Sequence, residues 1–415
     1  MSRLEELIEQ LCPDGVRFYE LREIFDIKNG YTPSKSNASY WENGSIPWFR
    51  LEDIRTNGRM LNDSLQHVTN NAVKKSGLFK KNSIMISTTA TLGEHAMILT
   101  DYLSNQQMTN LTIKNAFVDK LLPEFVFYYC FEIDKECYNI ANYSGGIPIV
   151  NQKKFEKLTF PLPPLKVQQE IVRILDSFTE LTAELTAELT AELTARKKQY
   201  EYYRDELLTF GNDIPLATLG DVAVVTKLAG FEFTKYVRYS DSGNIIALRG
   251  LNVKNGKLDL TDVKYIDDSD FSKLTRSKLH IGDMLFTYVG TIGQVALIDE
   301  ENKYYLAPNV ALIRSIDDRL RPQYMRYYFQ SNYFWKTQIN KLLQSSSMQN
   351  IPMEKIRKFV IPLPSLEEQQ RIVSILDRFD SLCNDLASGL PAEIEARRKQ
   401  YEYYRDKLLS FSEKR

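Results

Sequence analysis

Residues 161–178 read P-L-P-P-L-K-V-Q-Q-E-I-V-R-I-L-D-S-F, and residues 362–379 read P-L-P-S-L-E-E-Q-Q-R-I-V-S-I-L-D-R-F. The two blocks continue to residues 210 and 411 without a gap at an offset of 201, with 30 of 50 positions identical. Both close on nearly one phrase, R-K-K-Q-Y-E-Y-Y-R-D from Arg196 and R-R-K-Q-Y-E-Y-Y-R-D from Arg397. Such self-similarity means a duplicated architecture and takes precedence over local patterns. The plan is variable domain, constant block, variable domain, constant block, with boundaries at 1–160, 161–210, 211–361 and 362–415. No proline or glycine follows Pro164 until Gly211. Ile171, Ile174, Leu175, Phe178, Leu181, Leu185, Leu189 and Leu193 keep helical spacing, so a helix is expected from Val167 to Phe210, about 65 Å long. Its apolar stripe needs a partner. The second block is the economical one, as an antiparallel pair with a pseudo-twofold axis. That block should break at Gly389-Leu390-Pro391.

The variable domains carry short β-rich runs at Asn82–Ser87, Met284–Val289 and Ala307–Ile313, separated by turn residues. Aromatic helical stretches follow from Phe125 and from Tyr324. Each domain therefore reads as mixed α/β. Between them the match is faint: a Thr-x-Gly at Thr91/Gly93 and Thr291/Gly293, and Ser144-Gly145-Gly146 opposite Ser345-Ser346-Ser347.

At 415 residues the chain is too long for one typical domain. Its formal net charge of -1 excludes binding by bulk charge alone, but not by local patches. The constant blocks sum to -3 and -1, the second variable domain to +4. Four scattered cysteines (Cys12, Cys130, Cys137, Cys383) suit a reducing cytoplasm. A charged start without an apolar core, and no apolar run of membrane length, fit a soluble intracellular chain. Motifs for a nucleotide-phosphate loop, a dinucleotide turn, an amino-methyltransferase or a nucleophile elbow are absent from the sequence. Asp283, Glu301 and Lys303 have the spacing of a metal-dependent nuclease, against which Glu300-Glu301-Asn302-Lys303 reads as a polar hairpin turn.

Thr-Ala-Glu-Leu occurs three times in tandem from Thr182 to Leu193. Four residues advance an α-helix about 6 Å with a net rotation of about 40°. One B-DNA base pair turns about 34–36° over about 3.4 Å. The plain reading is helical filler; the symmetric two-domain context favours a ruler. In the variable domains, Thr32, Ser34, Lys35, Arg50, Arg55, Arg59, Asn105, Gln106 and Gln107, and then Arg249, Asn252, Lys254 and Asn309, lie among turn residues. Arginine can read guanine edges, Asn or Gln can read adenine, and lysines hold phosphates. For any single one of them a solvated turn is the better reading.

The duplicated motifs, the Thr-Ala-Glu-Leu run and W-E-N-G-S-I-P-W from Trp41 together resemble the specificity subunit of a type I restriction-modification enzyme. The resemblance spans essentially the whole chain. It implies an α/β (α+β) fold with two target recognition domains separated by two long helices that form an antiparallel coiled coil. Each domain would read one half of a bipartite site in double-stranded DNA. Contacts would come from loops holding the residues just named, with Thr88, Thr89, Thr91 and Ser144 in the first domain. Tyr288, Thr291, Ser345, Ser346 and Ser347 would serve in the second. The helices would set the spacer and dock two methyltransferase subunits through Ile171, Leu175, Phe178, Leu185, Leu189, Tyr200 and Tyr203. Ile372, Leu376, Phe379, Tyr401 and Tyr404 would act in the second block. This chain would carry no cofactor, metal or catalytic residue. The partners, including restriction subunits, would use S-adenosylmethionine, ATP and Mg2+. The rival readings are the nuclease at Asp283, Glu301 and Lys303, and a coiled-coil scaffold without DNA.

Overall fold

A computed structural model describes residues 2–211, 213–228, 235–343, 350–384 and 389–414. The chain divides into two compact units, Met1–Thr186 with Ala396–Arg415, and Ala187–Glu395. The helix predicted from the first block is present as Leu165–Leu207. The second block forms two helices, Leu366–Asn384 and Leu390–Leu409, with the break where the Gly-Leu-Pro sequence places it. Each constant block is thus shared out, its start packing in one unit and its Y-E-Y-Y-R-D end in the other.

In the first unit the strands are β1 (Arg17–Glu20), β2 (Phe25–Asn29), β3 (Ile46–Phe49), β4 (Met60–Leu61), β5 (His67–Val68), β6 (Ser83–Thr89), β7 (Thr91–Ile98), β8 (Leu103–Ser104), β9 (Met108–Ile113) and β10 (Thr159–Leu162). A five-stranded sheet runs in the order β2-β9-β6-β7-β4, and a three-stranded sheet in the order β5-β3-β8. Residues 83–88 of β6 are all buried, because both faces of that strand are covered. The aromatic stretch forms helix Pro123–Ile140. Its Phe125, Val126, Cys130, Ile133 and Cys137 enter the same core as Ile84 and Ile86 of β6 and Val167, Ile171 and Leu175 of the long helix.

The second unit repeats the plan. Its strands are β11 (Leu216–Thr218), β12 (Ala223–Lys227), β13 (Ile246–Leu248), β14 (Val253–Lys254), β15 (Lys257–Leu258), β16 (Lys264–Tyr265), β17 (Met284–Thr287), β18 (Val295–Leu297), β19 (Tyr304–Leu306), β20 (Val310–Ser315) and β21 (Val360–Pro362). The larger sheet runs β12-β20-β17-β18 and the smaller β16-β13-β19. In the smaller sheets β3 pairs antiparallel with β5 and parallel with β8, as β13 does with β16 and β19. The expected runs at 284–289 and 307–313 are displaced by a few residues at their ends, and the second aromatic stretch is helix Pro322–Gln330. The turn expected at Glu300–Lys303 is present, with Asn302 at φ 61°, but it joins strands of two different sheets rather than one hairpin.

The faint Thr-x-Gly match has a steric cause. Gly93 (φ 67°) and Gly293 (φ 82°) lie in the left-handed region, where a side chain is strained. An added Cβ would fall 2.7 Å from the Asp134 carbonyl oxygen at Gly93, and 2.4 Å from the Trp335 ring at Gly293. Glycine lets the sheet approach the segment beside it in both units.

Retained side chains of the constant blocks fasten helix to domain. Gln168 is fully buried. Its carbonyl accepts from Leu122 N at 2.9 Å, and its amide donates to the carbonyls of Lys120 (2.8 Å) and Pro163 (2.7 Å). Gln369 repeats this with Arg321 N (2.9 Å) and the carbonyls of Arg319 (2.7 Å) and Pro364 (2.9 Å). Asp176 accepts from the Tyr128 hydroxyl at 2.6 Å, and Asp377 from Tyr327 at 2.5 Å. The helices also pair within each unit. In the first, Phe178 meets Tyr404 at 6.1 Å, and the Thr179 and Tyr401 hydroxyls lie 2.9 Å apart. In the second, Phe379 stacks on Tyr203 at 5.6 Å. Rising numbers on one helix meet falling numbers on the other, so the packing is antiparallel.

Buried in the first unit, His95 places Nδ1 2.6 Å from Asp134 and lies edge-on to Phe127 and Phe131. Arg59 donates to its carbonyl at 3.1 Å, and Arg405 covers the Phe131 ring at 4.1 Å. Burial lowers the His95 pKa from its ordinary 6.5; Asp134 opposes this, while the charges of Arg59 and Arg405 add to it.

Two outcomes are expected. Gln168→Leu strands three backbone groups and should cost about 2–4 kcal/mol in urea unfolding; a loss below the error of the measurement counts against the amide lock. Below about pH 6.5 the unfolded His95 imidazole takes up a proton that the folded one resists, so stability falls as pH drops. His95→Gln should flatten this part of the pH profile, read as the urea midpoint between about pH 7.5 and 5.5.

Candidate nucleic-acid interface

In the first unit the tip of the β6–β7 hairpin gathers several of the expected residues. Ala90 turns the chain at φ 68° and donates from its amide to Pro148 O at 2.9 Å. The Thr88 amide donates to Gln107 O at 3.0 Å, and its carbonyl accepts from Val150 N at 2.9 Å. Thr32 donates from its hydroxyl to the Gln106 side chain. Asn105 N bonds to Phe49 O at 3.0 Å, next to Arg50 in sequence. Thr32, Arg50, Thr88–Thr91, Asn105–Gln107 and the loop holding Ser144 are therefore linked around one end of the five-stranded sheet.

Their exposure separates them. Gln106 is exposed, and Thr89, Thr91 and Gln107 are half-buried. Thr88 is buried against the Thr109 hydroxyl at 2.8 Å. Asn105 is buried and spends its amide on Gln107. Arg50 pairs with Glu52 at 2.7 Å and Arg55 with Glu94 at 2.6 Å. Arg59 departs furthest from the loop reading: its guanidinium serves the His95–Asp134 pair, 3.6 Å from Asp134. Ser34 lies 2.8 Å from Ser36, Lys35 is exposed, and the Ser144 hydroxyl donates to Asn142 at 2.7 Å.

In the second unit Arg249, Lys254, Thr291 and Asn309 line one cleft of about 710 Å³. Tyr239, Thr287 and Gln294 line it too and escaped the sequence reading, since the Thr-x-Gly match marks only Thr291. Arg249 is held by Asp262 at 2.9 Å and Lys254 by Asp259 at 2.5 Å. The Lys254 ammonium, with Thr261, keeps the Asp259 carboxyl well below the usual range. Asn252 is fully buried, donating to the carbonyls of Asp259 (2.8 Å) and Asp262 (2.7 Å); it shapes the loop from inside. Tyr288 is also buried, with its phenol pushed up by that burial. Ser345, Ser346 and Ser347 lie outside the described residues.

Each member of the nuclease triplet is already engaged by an ionisable neighbour. Asp283 is bound by Arg314 at 2.6 Å, Glu301 by His280 at 2.5 Å, and Lys303 by Glu300 at 2.6 Å. Among the described residues no cluster of three His, Cys, Asp or Glu could hold a metal, and no helix is long and apolar enough to cross a membrane. The expected docking set also divides. Ile171, Leu175, Ile372 and Leu376 are fully buried and Leu189 and Tyr200 nearly so, packed in the chain's own interior. Leu185, Phe379 and Tyr401 are half-buried. Phe178, Tyr203 and Tyr404 remain partly exposed, while Tyr202 and Tyr403, at the same place in the two repeats, are 64% and 63% exposed.

The family model for the type I restriction modification DNA specificity domain matches twice, over residues 13–195 and 203–396. The type I restriction enzyme EcoprrI specificity subunit of Escherichia coli is 35% identical over 397 residues, 93% of this chain and 92% of that protein. The EcoR124I/EcoR124II specificity subunit of the same organism is 32% identical over 71% of this chain and 72% of its own. In fold, the chain is similar to the HsdS subunit from Thermoanaerobacter tengcongensis, with a TM-score of 0.56 at 16% identity over 97% of this chain and 99% of that one. A chain from a structure of type I R-M system assembly and conformational transition gives a TM-score of 0.69 at 17% identity, over 96% and 98%. Two copies of one α/β unit, tied to duplicated helical blocks and matched over nearly the full length, place this chain in the type I restriction-modification DNA specificity family.

Proposed function

We propose that this chain is the non-catalytic sequence-reading subunit of a cytoplasmic DNA-modifying complex. Each unit reads one half of a bipartite duplex target. The first uses the sheet end around Thr89, Thr91, Gln106 and Gln107, and the second the cleft of Arg249, Lys254, Thr291 and Asn309. The observation that carries this reading is the two-fold match of the DNA specificity domain to two units of the same plan. Their loops differ, as two unlike half-sites require.

The helices set the spacer and dock two methyltransferase subunits. The Thr-Ala-Glu-Leu run from Thr182 to Leu193 spans the boundary between the units at Thr186/Ala187, which supports a ruler role. Tyr202 and Tyr403 are the better docking candidates, since both copies keep an exposed tyrosine that the chain's own core does not use. S-adenosylmethionine, and ATP with Mg2+ where restriction subunits join, belong to the partners.

Deleting one Thr-Ala-Glu-Leu unit should shorten the methylated motif's spacer and leave both half-sites intact; an unchanged spacer removes the ruler. Exchanging residues 1–160 for the first domain of a relative should change one half-site only. Genome-wide mapping of methylated adenine, with the methyltransferase subunit co-expressed, reads both.

A further inference from the structure

The loop Asn142–Val150 has features that folding alone does not explain. It is zipped to the β6–β7 hairpin by the bonds Ala90 N to Pro148 O and Val150 N to Thr88 O, both 2.9 Å, and closed on itself by Asn142 N to Ile149 O at 2.9 Å. A fixed loop has no need of apolar side chains in water. Yet its Tyr143, Ile147 and Ile149 are exposed, at 56%, 56% and 49%, and Tyr138, near the end of helix Pro123–Ile140, is 52% exposed. The tyrosines are tied together: the Tyr143 hydroxyl donates to Tyr138 O at 3.0 Å, and Tyr138 donates to Leu92 O at 2.7 Å. Three exposed apolar side chains within one hydrogen-bonded loop, beside an exposed tyrosine, mark a contact surface, where single scattered residues would not.

The sequence that follows gives the partner's charge. Helix Gln152–Phe155 is anchored by buried Phe155 and presents Lys153 and Lys154, with Lys157 just beyond. All three are exposed and none has an ion pair among the described residues, unlike Arg50, Arg55, Arg249 and Lys254.

We infer that this loop and its lysines form a base-reading element of the first unit, with Ile147 and Ile149 against thymine methyl groups and Lys153, Lys154 and Lys157 on the flanking phosphates. Aliphatic side chains distinguish thymine by its C5 methyl in the major groove, and unpaired lysines hold the backbone in register. The inference rests on the DNA-reading role proposed above and names the residues that set specificity within it.

The test uses the full chain assembled with its methyltransferase subunits. Ile147→Ser/Ile149→Ser should lower discrimination at one A·T position of one half-site by about tenfold and leave the other half-site unchanged. Lys153→Gln/Lys154→Gln/Lys157→Gln should weaken binding to matched and unmatched duplexes alike and reduce the salt slope of binding by up to about 3. Thermal melting of each variant checks that it is folded. Folded variants with the wild-type motif, affinity and salt slope overturn the assignment. A wild-type complex that binds and methylates no motif overturns the DNA-reading role itself, and with it this element.

Discussion

A buried primary amide decides how each half of this molecule is put together. Gln168 and Gln369 each satisfy one backbone N–H and two carbonyls where the helix meets its domain. A glutamine amide offers one acceptor and two donors, and here all three are used. No aliphatic side chain can replace it without leaving these backbone groups without their partner. The lock fixes the rotation of the helix against its domain. That rotation in turn brings Asp176 to Tyr128 and Asp377 to Tyr327.

The same constraint divides the sequence into what must be kept and what is free to vary. The interior side of the constant helices is repeated because each copy faces the same three backbone groups. The loops at the sheet ends carry no such obligation. In the first unit they form a hairpin tip braced by the 142–150 loop; in the second, a cleft whose arginine and lysine are already held by Asp262 and Asp259. A cation held by a neighbouring carboxylate is pre-positioned and must exchange that partner, or share it, to meet a phosphate or a base.

The duplicated helices were legible in the sequence, since a 3.6-residue period and an ungapped internal match are long-range signals. So was the break at Gly389-Leu390-Pro391. The candidate site was much less legible. Loop position alone cannot tell an exposed Gln106 from a buried Asn105 one residue away, or an open Lys35 from an Arg59 folded back onto His95. Nor does a helical stripe reveal which part of it the chain covers itself: Ile171 and Phe178 belong to one periodic face, yet only Phe178 stays partly exposed. These distinctions arise from contacts between residues far apart in sequence.

The sharing of each constant block between units has a consequence for biosynthesis. The first unit is closed by residues 396–415, where Val16 pairs with Glu413, Phe125 meets Phe411, and Lys135 binds Asp406 at 2.7 Å. On a ribosome adding about 5–20 residues per second, the first segment of this unit waits on the order of ten seconds or more for the segment that completes it. The second unit, contiguous from Ala187 to Glu395, has no such wait. The first unit to be made is therefore the last to be finished, and during that interval its Phe125, Val126 and Leu175 core lacks the covering supplied by Leu409.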